Sequence, residues 1–80
     1  MKIESNEDRI LLIAAFRYAL GRRTWVVEVV ADVISVNWND LPGNDRELIQ
    51  KEIEKAISES AAGDAVDVAY WERILDLPII

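Results

Sequence analysis

Cysteine and histidine are both missing from this chain, and together the two absences close most routes to chemistry. Without thiols there is no disulfide framework, no thiolate zinc site and no cysteine nucleophile, which fits a reducing compartment. Without imidazole the commonest general base and metal ligand is gone. Positive charge is scarce: nine Lys and Arg face fifteen Asp and Glu, for a net charge of −6. Residues 25–44 contain no Lys or Arg at all, while Glu28, Asp32 and Asp40 fall there and Asp45 follows. Such a chain repels a nucleic-acid backbone at long range, so direct DNA or RNA binding is disfavoured. Long hydrophobic runs are also lacking. The apolar stretch at residues 10–16 is far too short to cross a bilayer, and residues 1–8 are too polar for a secretory signal. These features point to a soluble, cytoplasmic protein.

What chemistry is left belongs to carboxylates, Lys and Tyr. Paired acids perform glycosidase or aspartic-protease work only when a cleft fixes their separation. Asp64 and Asp67, which flank the turn after Gly63, are the nearest such pair and read as one loop residue and one helix cap. A divalent cation there would need several more oxygen ligands than the segment supplies. The expectation is a non-enzymatic protein with no cofactor and no metal.

Apolar residues, by contrast, are plentiful. They make up 51% of an 80-residue chain that includes three Trp. A single domain of this size buries only roughly 60–65% of its unfolded surface. Some apolar surface is therefore expected to be covered by a partner or by a second copy, and a homodimer is anticipated. The C-terminal run Leu75-Asp76-Leu77-Pro78-Ile79-Ile80 is one such surface, unless it folds back over its own core.

The periodicity predicts an all-α, single-domain arrangement of four helices with short turns. Ser5 and Asp8 resemble a capping box that starts a helix over 6–20. That helix is apolar nearly all round, which places it at the centre with Ile13 and Phe16 in the core, and Gly21 ends it. The valine-rich segment 25–37 has strand propensity, but its polar residues Glu28, Asp32, Ser35 and Asn39 recur at four, three and four, a helical period. Asn39-Asp40-Leu41-Pro42-Gly43-Asn44 reads as a turn. Asn44 with Glu47 then caps a third helix over 45–62, whose apolar stripe includes Leu48, Ile49, Ile53 and Ile57, ending at Gly63. Asp67 caps a fourth over 68–76, closed by Pro78. Tyr18, Trp25, Trp38, Tyr70 and Trp71 sit at helical periods among aliphatic residues and are expected mainly in the core or an interface.

Two features are candidate binding surfaces. Arg22, Arg23 and Thr24 at the start of the second helix, with Arg17 one turn before Gly21, can seat a phosphate or carboxylate, or can be a solvated turn. The acidic helix faces, Glu28 and Asp32 on the second helix and Glu52, Glu54 and Glu59 on the third, can meet a basic surface on another protein.

The run FRYALGRRTWVVEVVADVI, the helix RELIQKEIEKAI and the ending AGDAVDVAYWERILDL resemble a family of short proteins encoded by phages and mobile elements. The resemblance spans residues 10–77. It is most specific at Arg17-Tyr18-Ala19-Leu20-Gly21-Arg22-Arg23-Thr24, with Gly63-Asp64, Asp67 and Trp71. It implies a small protein that binds and disables a host component, and it brings no functional residue with it. Size and acidity are similar to those of anti-CRISPR proteins. The leading expectation is an inhibitor that binds a host protein with a basic surface, such as a nucleic-acid-handling defence (CRISPR-Cas) complex. The alternatives are a binder of a small anion or nucleotide phosphate at the first turn, and a structural homo-oligomer.

Overall fold

The computed structural model describes residues 2–20, 25–59 and 65–78, with the backbone alone at 65–68. Four helices follow one another: α1 (Asn6–Ala19), α2 (Trp25–Val36), α3 (Gly43–Glu59) and α4 (Ala65–Leu75). A short 3-10 turn at Trp38–Asp40 separates α2 from α3, and the described residues contain no strand. The all-α architecture expected from the periodicity is present. The valine-rich segment is helical because Val27, Val30, Ala31 and Ile34 lie on one side of it and are all buried.

The main helix-to-helix packing runs in the cyclic order α1, α2, α4, α3. Across the middle, the Phe16 ring meets the Trp71 ring edge to face, with centroids 5.5 Å apart and planes at 87°. Leu12, Val27, Ile34, Leu41, Ile49, Ile53 and Ile74 complete the core. The Cα trace measures 37 × 24 × 16 Å. The thinnest dimension holds only two layers of helix, so every helix keeps a face in water.

That thickness qualifies the expectation for α1. Phe16 does reach the centre of the molecule, but α1 is enclosed on one side only. Ile10 and Leu11 are 60% and 61% exposed, and Ile13 is half-buried.

The ends of the helices show where local rules were overruled. At α1, the Asp8 N–H donates to Ser5 Oγ at 3.2 Å, while the Asp8 carboxylate accepts from the Glu4 N–H at 3.1 Å. The capping box is real, with its return bond shifted back one residue. α1 closes at Leu20, whose N–H reaches the Phe16 carbonyl; Gly21 lies outside the described residues. α3 begins at Gly43, earlier than the Asn44 cap implied. The Pro42 carbonyl accepts the Asp45 and Arg46 N–H groups at 3.0 and 3.1 Å, so Asn44 sits within the first turn. The cause is Leu41, buried and held extended before proline, which delivers the chain directly into the helix. α4 begins at Ala65, which moves Asp67 from the cap position into the first turn. The expected end of the third helix at 60–62, with its Gly63 stop, lies outside the described residues.

The C-terminal run folds back on its own molecule as far as Pro78. Gln50 Nε2 donates to the Ile74 and Leu77 carbonyls at 3.1 and 2.9 Å, and Trp38 Nε1 donates to the Pro78 carbonyl at 2.6 Å. These bonds occupy one carbonyl in the last turn of α4 and two just beyond its end, and Leu75 and Leu77 pack against the core.

Candidate functional site

α2 is packed by Val27, Val30, Ala31 and Ile34, and the spacing that buries them turns Trp25, Val29, Asp32 and Val36 outward. Steps of four, three and four residues place these four along one line of the helix. Trp25 is 74% exposed, Val29 about half and Val36 81%, so an indole and two valines stand in water. Glu28 and Ser35 border the line on one side, both exposed. Trp25 is thus an exception to the expectation that the aromatic residues pack inside, whereas Trp38 and Trp71 are buried. Tyr18, on α1, is also largely exposed.

The candidate acids are distributed over three places. Glu28 and Asp32 lie one turn apart on the solvent side of α2. Asp32 already has a cation nearby: Arg73 Nη2 of α4 lies 3.8 Å from its Oδ1, with both side chains more than half exposed. At that distance and exposure the pair contributes about 0–1 kcal/mol. The Arg73 guanidinium also sits over the Tyr70 ring, 5.1 Å from its centroid. On α3, Glu52 and Glu59 are seven residues apart and share a side, whereas Glu54 is two residues from Glu52 and falls on the opposite edge. Lys51 and Lys55 stand between them, exposed. α2 and α3 lie diagonally across the molecule, so the fold does not merge their acids into one patch.

Of the candidate anion seat, Arg17 is described and exposed in the last turn of α1. Arg22, Arg23 and Thr24 lie outside the described residues. Arg17 borders a shallow groove of about 540 Å³ between α1 and α3, floored by Ile10, Ile13, Ala14 and Leu48. The other end of that groove is closed by an ion pair that no local pattern announced. Arg9 Nη1 donates to both Asp45 carboxylate oxygens, at 2.9 and 2.8 Å. The side chains are 31% and 12% exposed, so the pair ties the first turns of α1 and α3 together out of bulk water.

Among the described residues no three Asp or Glu side chains gather into a set that could hold a metal ion. No helix among them is long and apolar enough to cross a membrane. No buried side-chain nitrogen or oxygen among them lacks a hydrogen-bond partner. The polar groups of the interior are therefore occupied in holding the fold, and the unexplained features lie on the surface. No protein-family model, curated protein or solved structure matches the chain.

Proposed function

We propose that this chain is a non-enzymatic, acidic protein-binding domain of phage type. It acts in the host cytoplasm by docking on a basic surface of a host protein and inhibiting it. The target class that fits is a nucleic-acid-handling defence complex of the CRISPR-Cas kind, whose working surface carries the positive charge this chain complements. The observation that carries the reading is the outward line of α2. Trp25, Val29 and Val36 supply apolar anchors of the kind that dominate interfaces, and Glu28 and Asp32 supply flanking negative charge. The α3 acids Glu52, Glu54 and Glu59 add to the long-range field and are not part of the contact, because they lie on another side of the molecule.

The test is capture of the target from host lysate by tagged chain, followed by competition between captured target and its nucleic acid. Glu28→Lys with Asp32→Lys, and separately Trp25→Ala with Val36→Asp, should each abolish capture. Binding should weaken as salt rises, because the charged part of the contact is screened. Capture unchanged in both double variants would sink the reading. So would a co-purifying nucleotide that is lost on Arg17→Glu, which would move the function to the turn after α1.

A further inference from the structure

We propose that the outer face of α1 is a dimerisation surface, on which two copies of this chain pair antiparallel about a two-fold axis. The inference is independent of the α2 surface and shares no residue with it. Glu7, Ile10, Ala14 and Arg17 follow one another at steps of three, four and three, so they form one line along α1, and all four are exposed. Ile10 is more than half exposed, and Leu11 and Tyr18 flank the line with comparable exposure. An apolar strip of this length in water favours a cover.

The order of chemistry along the line identifies the cover. It reads acid, large apolar, small apolar, base. A second α1 laid antiparallel brings Glu7 of one copy to Arg17 of the other in the same register that brings Ile10 to Ala14. Because the arrangement is two-fold, each contact occurs twice. This is the self-complementarity that an interface between identical surfaces requires. A parallel arrangement would set like charge against like. Ala14 near the crossing point lets two helices approach to about 8 Å, the close end of normal helix packing. Ile13 and Leu48, on the floor of the adjoining groove, continue the apolar centre towards α3. Neither Glu7 nor Arg17 has an ion-pair partner among the described residues, so both are available to the second copy. The outer line of α2 does not have this property: its own charged residues, Glu28 and Asp32, are both acids, and two copies would repel there.

An acid in the first turn and a base in the last also suit the dipole of α1 itself, and the experiment separates the two roles. Light scattering on the eluting peak, at tens of micromolar and low salt, should give twice the 9.1 kDa of one chain. Arg17→Glu or Glu7→Arg should each raise the dimer dissociation constant roughly tenfold, since both exposed pairs turn from attractive to repulsive. The double reversal, Glu7→Arg with Arg17→Glu, recreates the pairs with their ends exchanged and should restore the wild-type constant. A dipole role alone predicts the opposite, because the double reversal then compounds two unfavourable changes. Ala14→Glu, at an exposed site that tolerates the change within one chain, should give a monomer with unchanged helical circular dichroism. A 9.1 kDa particle for the wild type would overturn the proposal. So would a dimer indifferent to Arg17→Glu and Ala14→Glu, or one abolished by Val36→Asp on α2.

Discussion

Phe16→Ala tests the core most directly, and Leu11→Ala on the same helix is its control. The Phe16 side chain is fully buried, so its removal costs both the transfer energy of the ring and a cavity between α1, α2 and α4, about 3–5 kcal/mol. The edge-to-face contact with Trp71, itself about 0.5–1.5 kcal/mol, is part of that loss and favours the upper end of the range. An 80-residue domain has roughly 4–12 kcal/mol of stability in total, at 0.05–0.15 kcal/mol per residue. With a urea slope of about 1 kcal/mol per molar, the midpoint should fall by roughly 3 M or more, or the folded baseline should disappear. Leu11→Ala removes a side chain already 61% exposed and should move the midpoint by no more than about 0.5 M, within the usual range for surface sites. Ile13→Ala should fall between the two, because its side chain is half-buried. Measured at a concentration where the chain is monomeric, comparable losses for Leu11 and Phe16 would show that α1 is enclosed on all sides. The two-layer packing would then be wrong.

Other expectations follow from the polar contacts. Arg9→Met leaves the Asp45 carboxylate mostly buried without its cation and should cost about 2–3 kcal/mol by thermal or urea unfolding. Arg73→Ala, at the exposed and longer contact to Asp32, should cost less than about 0.5 kcal/mol. Gln50→Leu removes the donor to the Ile74 and Leu77 carbonyls and should lower stability by about 1–2 kcal/mol, with amide exchange accelerating first at the C-terminal run. Trp38→Phe keeps most of the buried ring but loses the bond to the Pro78 carbonyl, for about 1 kcal/mol and the same local signature.

The helices were legible because their polar residues keep helical spacing. Glu28, Asp32 and Ser35 identified α2 in spite of a valine content that favours strands, since burying Val27, Val30 and Ile34 together needs a helix. Starts and ends were less legible, because caps compete. At α3 the Asn44 and Glu47 pattern was overruled by Leu41-Pro42, whose conformation is set by a buried side chain and a proline ring. The Arg9 to Asp45 pair spans 36 residues and the Trp38 to Pro78 bond 40, and no local periodicity carries contacts of that range. For the same reason the two fates left open for the C-terminal run were separated only by the long-range bonds of Gln50 and Trp38, which no local motif marks. Of the candidate sites, Glu28 and Asp32 were legible as acids on one face. That Trp25, Val29 and Val36 stand out of the same helix was not, since valine and tryptophan at helical spacing ordinarily mean a core.

The exposed apolar residues are not a by-product of a small domain with too little interior. Two layers of helix give all four helices a wet face, so each can be compared with the others. α3 presents Glu47, Lys51, Glu54, Lys55 and Ser58 to water, the mixed charge of an ordinary solvated surface. α4 presents Glu72 and Arg73. The same chain, under the same constraint of size, places Ile10, Leu11 and Tyr18 on the wet face of α1, and Trp25, Val29 and Val36 on that of α2. Geometry forces exposure on all four helices, but it does not choose which residues are exposed. Among the described side chains, the large exposed apolar residues fall on α1 and α2, and none falls on α3 or on residues 69–75 of α4. On the two proposals above, that division separates surfaces for contact from surfaces for solvent, and the charges beside each apolar line differ accordingly. On α1 an acid and a base lie at opposite ends, as a second copy requires. On α2 the helix's own charges are the acids Glu28 and Asp32, with Arg73 of α4 beside Asp32 only, so the charge there is net negative and suits a basic partner better than a second copy.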